Sequence, residues 1–193
     1  MSKLKLNLTA GQIAWTLWRP LGGRPAEPPA KFLARLRYLK KEGVPFSEAE
    51  LAKGSGYNQI YGFDHLAELA VAIELIDHGV RPADAAALLV KWRPTFRNWF
   101  EKAFEERYKA YPVNHPEFPV AYGLFIELTV TYSRDHPGIH IPKLLTPPEA
   151  AGLLFGTGRQ ICSRFLIQLS ELLDRTVTRA LEAPAMSRGR PRQ

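Results

Sequence analysis

Cysteine is nearly absent from this sequence, and so is any long apolar run. The single cysteine, Cys162, cannot form an internal disulfide, so we expect a reducing compartment, the cytoplasm. No apolar stretch is long enough to cross a bilayer, and Lys3 and Lys5 are not followed by the apolar run and cleavage site of a signal peptide. These absences predict a soluble globular protein with no membrane partner.

Constellations of catalytic or metal-ligating residues are also lacking. His136 and His140 are close in sequence, but neither they nor His115 stand with cysteines or carboxylates at a ligand spacing, which favours surface histidines over a metal site. Cys162 has only arginines as activating neighbours, and Glu127 is a lone carboxylate without a partner for acid–base catalysis. We therefore predict that the chain is not an enzyme and holds neither a metal nor a cofactor.

Charge is present, and it is unevenly distributed. The net charge is +7, yet residues 1–62 hold 10 Lys and Arg against 4 Asp and Glu, and the last ten residues add 3 arginines without an acid. A basic surplus of this kind can neutralise phosphates and release counterions. Nucleic acid is thus the favoured partner, and improved solubility is the alternative explanation.

The basic segment contains a predicted helix over residues 30–42 whose two faces differ in chemistry. At 100° per residue, its apolar stripe consists of Phe32, Leu33, Leu36 and Leu39. Its opposite arc consists of Lys31, Arg35, Arg37, Tyr38 and Lys41. Gly43 suits the left-handed residue that ends a helix. Such a helix can pack on one face and enter the major groove with the other, whereas a merely solvated face is the alternative.

The segments on either side predict a winged helix-turn-helix. Thr9 is expected to cap a first helix, Ala10–Trp18, which a loop rich in proline and glycine separates from the basic helix. Glycines, aromatics and amides over residues 54–62 predict a hairpin-like wing. The wing side chains expected along a phosphate backbone are Lys53, Tyr57 and Asn58.

Two further helices are predicted to form a scaffold behind this unit. One runs to Gly79 and the other begins at Pro82, and their leucines and alanines follow helical spacing. The leucines are expected in the core. The acidic residues expected to face solvent are Glu68, Glu74, Asp77 and Asp84.

Several residues between positions 8 and 90 share a characteristic spacing. They are Arg37, Tyr38, Gly43, Gly56, Tyr57, Tyr61, Leu66, Leu69, Leu75 and Gly79. In this order they resemble the N-terminal DNA-binding domain of MerR-like regulators. The resemblance implies double-stranded DNA as the partner, with Arg37 and Tyr38 on phosphates and Tyr57 in the wing. The chain differs from that family by an inserted loop after the first helix, a wing one residue longer, and Asn58 in place of the usual wing arginine.

Residues after Pro94 follow a different pattern, which predicts a small α+β domain. We expect a helix over 94–111, a strand over 118–132 with apolar residues at even positions, and a second strand over 139–145. This half is where we expect two copies of the chain to dimerise.

The remaining C-terminal elements are predicted to be helical. Thr146 and Glu149 have the spacing of a capping box for a short helix to residue 155, and residues 156–158 favour a loop over an anion site. A long final helix over 159–183 carries an apolar stripe suited to a subunit or domain partner.

The last residues form a short basic motif. Ser187 to Arg192 resembles the core of an AT-hook, in which Arg188 and Arg190 would enter a narrow A·T minor groove. A nonspecific phosphate contact by the same arginines is the alternative.

The sequence therefore predicts an α+β fold, mainly α, with a winged helix-turn-helix at 1–93, an α+β dimerisation or sensing domain at 94–183 and a basic tail at 184–193. We expect a sequence-specific DNA-binding transcriptional regulator, a homodimer through its C-terminal half, with RNA polymerase as a possible further contact. The alternative is an adaptor that uses the winged-helix scaffold to bind another protein.

Overall fold

The fold is α+β and mainly helical, as the sequence predicts. The computed structural model describes residues 4–18, 27–51, 59–113, 120–132, 137–139, 142–155 and 163–185. The chain divides into two compact units, one made of Met1–Ala86 with Thr176–Gln193 and the other of Ala87–Arg175. Each unit has its own core.

The first unit is built from helices. They are α1 (Ala10–Leu17), α2 (Ala30–Lys41), α3 (Glu48–Leu51), α4 (Phe63–Asp77) and the start of α5 (Pro82–Lys91). The predicted cap of α1 is confirmed, because the Gln12 amide donates to the Thr9 hydroxyl at 3.3 Å and the Gln12 side chain accepts from the Thr9 amide at 3.0 Å. Before that cap, Leu8 pairs with Tyr61 through two backbone hydrogen bonds of 3.0 and 2.9 Å.

α2 lies where the periodicity predicts. Phe32 and Leu39 are buried, which anchors one face of the helix in the core. Gly43 ends the helix with a φ of 86°, and the Val44 amide then donates to the Leu39 carbonyl at 2.9 Å. A left-handed residue at this position is easiest for glycine, so the predicted stop is confirmed.

α4 is the central helix of the first unit, and one prediction about it is wrong. Leu66, Leu69 and Ile73 are buried as expected, but so are the residues between them. Glu68, expected to face solvent, is fully buried with 0% of its surface exposed. A helix surrounded on all sides has no solvent face, so an acidic residue in its middle is enclosed with its neighbours.

The second unit combines helices with antiparallel strands. Its elements after α5 are α6 (Arg93–Glu105), β1 (Ala110–Pro112), β2 (Val120–Tyr122), β3 (Phe125–Tyr132), β4 (Pro137–Ile139), β5 (Lys143–Leu145), α7 (Pro147–Phe155), β6 (Ser163–Ile167) and α8 (Leu169–Glu182), whose last turns belong to the first unit. β1 pairs with β2, and β3 pairs with β4, β5 and β6. Ile126 of β3 faces Leu144 on one side and Ile167 on the other, so β6 and β5 lie on opposite edges of β3.

Four predicted elements of this unit need correction. The strand expected over 118–132 is two strands, because Gly123 turns the backbone between β2 and β3 with a φ of 72°. The strand expected over 139–145 is also two, β4 and β5. The final helix expected over 159–183 is wrong at its start, since residues 163–167 form β6 along the edge of β3. The helix expected to reach residue 111 ends at Glu105, and β1 follows.

A tight contact joins the turn at Gly123 to the start of α8. The Ser170 hydroxyl donates to the Ala103 carbonyl at 2.6 Å and accepts from the Leu124 amide at 2.7 Å. A Cβ placed on Gly123 would lie 2.3 Å from the Ser170 Cβ. Gly123 is therefore required both for its positive φ and for this close approach.

We expect Gly123→Ala to lower the free energy of unfolding by about 3 kcal/mol, because it adds backbone strain and overpacks the contact with Ser170. Gly152→Ala is the matched control, since Gly152 is helical and no described atom lies within 4 Å of its Cβ position. That variant should gain about 0.5–1 kcal/mol. Urea unfolding of both variants measures the difference, and equal midpoints would contradict the assignment.

Thr146 and Glu149, predicted to cap α7, contact each other at its start, and the contact gives a pH-dependent contribution to stability. The Thr146 amide and hydroxyl both donate to the Glu149 carboxylate at 2.7 Å, which lowers the pKa of Glu149 below its ordinary 4.5. A carboxyl group whose pKa is lower in the folded than in the unfolded chain stabilises the fold at any pH above its unfolded pKa. That stabilisation is lost as the pH falls through the pKa of the folded state.

We expect Glu149→Gln to be less stable than the wild-type chain at pH 7, because an amide accepts these hydrogen bonds more weakly than a carboxylate. The difference in urea midpoint should shrink as the pH falls below about 4.5. A difference that stays constant from pH 7 to pH 3 would show that the charge of Glu149 does not contribute.

Candidate nucleic-acid interface

The exposed arc of α2 brings together most of the basic side chains predicted on that helix. Its exposed members are Ala30, Lys31, Ala34, Arg37, Tyr38, Lys40 and Lys41. Phe32 and Leu39 hold the opposite side in the core. A helix of 12 residues is about 18 Å long, and its exposed face carries cations and small residues without an Asp or Glu. This face can approach an anionic surface closely.

The two alanines give the arc a particular shape. Ala30 and Ala34 lie one turn apart, and Ala34 falls between Arg37 and Tyr38 when the helix is viewed end-on. Side chains as small as methyl groups leave the helix backbone accessible at these two positions, whereas Lys41 occupies the same sector in the last turn. Longer cationic and aromatic side chains on either side can then reach to the walls of a groove.

Arg35 stands apart from the rest of the predicted basic set. Its guanidinium lies 3.2 Å from a carboxylate oxygen of Asp77, at the end of α4. Both side chains are partly exposed, so the pair holds the orientation of Arg35 without contributing much to stability. The charge of Arg35 is therefore directed toward α4, at the edge of the exposed arc.

Lys40 is a basic residue of this surface that the sequence analysis did not include. It is exposed in the last turn of α2, beside Lys41, where a cation is favoured by the negative end of the helix dipole. On the helical wheel Lys40 falls between Leu36 and Leu33, within the sector of the apolar stripe, which is why the pattern did not place it in the basic arc.

The segment before α4 is held by a buried aromatic and hydrogen-bonded cluster. The ring of Tyr61 lies 4.9 Å from that of Phe46, and burial raises the pKa of the Tyr61 hydroxyl. His65 accepts from the Gly62 amide at 3.1 Å through Nδ1, so its Nε2 carries the proton that points to Glu50 at 3.4 Å. These contacts fix the position of residues 59–62, the end of the predicted wing that leads into α4.

Comparison of the chain with family models, with curated proteins and with solved structures finds no match in any of the three. The resemblance to MerR-like regulators thus stays a prediction. What the chain does must be inferred from its own side chains, and the exposed arc of α2 is the richest group of them.

Several predicted site residues lie outside the described part of the chain. Those of the wing and tail are Lys53, Tyr57, Asn58, Arg188 and Arg190. The residues considered for metal, anion or thiol chemistry are His115, His136, His140, Cys162 and residues 156–159. Among the described residues, no group of three or more His, Cys, Asp or Glu side chains is close enough to share a metal ion. Nor does any described helix have the length and apolar character needed to cross a membrane.

Proposed function

We propose that the chain is a sequence-specific transcriptional regulator that binds double-stranded DNA, with α2 in the major groove and the segment 54–62 against the phosphate backbone. The observation that carries this proposal is the exposed arc of α2, which combines Lys31, Arg37 and Lys41 with two alanines and carries no Asp or Glu. The major groove of B-DNA, about 12 Å wide, admits an α-helix. Lys31, Arg37 and Lys41 would supply the charge that phosphates and guanine edges require.

The small residues suggest how sequence could be read. Ala30 and Ala34 would allow the α2 backbone to approach the base edges, and an alanine methyl makes apolar contact with the methyl group of thymine. Arg37 can donate two parallel hydrogen bonds to one guanine or to a phosphate. Specificity would then come from a combination of apolar and cationic contacts along one helix face.

Dimerisation is the second part of the proposal. DNA-binding proteins that place a helix in the major groove gain affinity when a dimer binds two half-sites about 34 Å apart. The apolar stripe of α8 is largely buried within the chain, at Leu172, Leu173, Val177 and Ala180, while Leu181 remains exposed. A dimer would therefore need surfaces of the C-terminal half beyond that stripe. Sedimentation at micromolar concentration, with and without DNA, measures the state directly.

We expect Arg37→Ala to weaken DNA binding across all sequences and to reduce the slope of log K against log salt by about 1, because one phosphate contact is lost. Tyr38→Ala should weaken binding roughly fivefold with little change in that slope, since a neutral hydrogen bond is removed. Fluorescence anisotropy with duplexes selected from a random pool is the measurement.

Arg81→Ala is the matched control for these variants. Arg81 is an exposed arginine of the same unit, outside α2, and it pairs with Asp84 at 2.7 Å. Its loss changes the net charge by the same amount without touching the proposed interface. If Arg37→Ala and Arg81→Ala bind equally, the assignment of α2 is wrong. If the wild-type chain binds DNA without salt dependence, or does not bind it, the adaptor hypothesis takes its place.

The pair between Arg35 and Asp77 gives a separate prediction. Asp77→Asn would release the guanidinium of Arg35 and remove a negative charge beside α2, so we expect DNA affinity to rise about threefold to tenfold with a steeper salt slope. Stability should change by less than about 1 kcal/mol because the pair is exposed. Asp84→Asn, which disrupts the exposed pair with Arg81, is the control and should leave DNA affinity nearly unchanged. An identical response of both variants would count against a role for Arg35.

A further inference from the structure

A groove of about 330 Å³ opens beside α2 within the first unit. Its floor is apolar and is formed by Ile13 and Ala14 of α1, Leu33 and Leu36 of α2, and Leu69 of α4. Leu33 and Leu36 are only partly buried, so they present apolar surface to the groove. A volume of this size lies at the lower end of the range found for small-molecule sites.

The rim of the groove has the opposite character. Arg37 and Lys40, one turn of α2 apart, both line it, and no Asp or Glu is among the described residues around it. The Tyr61 ring closes part of the wall. An apolar floor beneath two cations is complementary to a ligand with an apolar body and a single negative charge.

We propose that this groove binds an amphipathic carboxylate, with its hydrocarbon body on the leucines and its carboxylate between Arg37 and Lys40. A volume near 330 Å³ suits an unbranched chain on the order of ten carbons. The neutral and cationic analogues of such a molecule would gain the same apolar contacts, but they would lack the negative charge that Arg37 and Lys40 bind.

The position of Arg37 links this groove to the proposed DNA interface. Arg37 also belongs to the exposed arc of α2, so a carboxylate bound to its guanidinium would remove it from phosphate. The ligand would therefore antagonise DNA binding. This antagonism rests on the proposed function, whereas binding of the carboxylate to the groove does not.

Adjacent lysines provide a matched pair of variants for the test. Lys40 and Lys41 are both exposed in the last turn of α2, and only Lys40 lines the groove. Isothermal titration of the full chain with decanoate, below the concentration at which it forms micelles, should show saturable binding. Lys40→Gln should weaken that binding about tenfold through the loss of a charge-assisted hydrogen bond, and Lys41→Gln should leave it within about twofold of wild type.

Ligands of different chain length test the apolar floor of the groove, and ligands of different charge test its cationic rim. Affinity should rise roughly threefold to fourfold per methylene from hexanoate through octanoate to decanoate, as expected for burial of each CH₂. Decanol and decyltrimethylammonium should bind at least tenfold more weakly than decanoate. Equal binding of decanoate and decanol, equal effects of the two lysine variants, or no binding would each overturn the proposal.

The antagonism is measured by anisotropy with labelled duplex at fixed ionic strength. At a concentration near its Kd for the wild-type chain, decanoate should weaken DNA binding by the wild-type chain and by Lys41→Gln, and should have little effect on Lys40→Gln. Saturable decanoate binding with unchanged DNA affinity would overturn the antagonism and leave the groove assignment intact. A chain that binds decanoate as described but does not bind DNA would refute the proposed function alone.

Discussion

The backbone pairing of Leu8 with Tyr61 is the constraint on which the first unit depends. These two hydrogen bonds connect residues 53 positions apart, and each partner is followed almost at once by a helix. Leu8 directly precedes Thr9, the cap of α1, and Tyr61 directly precedes Gly62, the cap of α4. The pair thus brings the starts of α1 and α4 together, and these helices pack on each other. α2 is positioned when Phe32 and Leu39 enter the core of this unit.

The surface of α2 follows from that anchoring. Because two residues one heptad apart, Phe32 and Leu39, are buried, the orientation of the helix about its axis is fixed, and the residues facing solvent are set by the 100° repeat. The groove and the basic arc are consequently neighbouring sectors of one helix. Arg37 lies at the border between them, since it lines the groove and is also exposed on the arc.

Local signals predicted the elements that depend on neighbours in sequence. The Thr9 cap, the contact of Thr146 with Glu149 and the Gly43 stop each involve residues within five positions, so the sequence contains the whole interaction. The buried face of α2 depends on tertiary packing, but the 100° repeat of its apolar residues marks it in advance. The failures involve distant partners. β6 forms because β3, more than 30 residues earlier, offers an edge, and Glu68 is buried with its neighbours on every side of α4, which depends on tertiary packing and not on local sequence. The contact of Arg35 with Asp77 spans 42 positions and has no local signature.

The contacts of Ser170 have a consequence for the order in which the second unit forms. Its hydroxyl bonds to Ala103 and Leu124, residues 67 and 46 positions earlier. Contacts of such long range cost the entropy of loop closure before they form, which delays them relative to local contacts. During synthesis, the buried Phe96 and Phe100 of α6 would emerge well before Ser170, whose hydroxyl contacts the same helix at Ala103. The nascent chain would therefore expose this aromatic surface for as long as about 70 residues take to be made, and a chaperone that binds apolar segments would find it then.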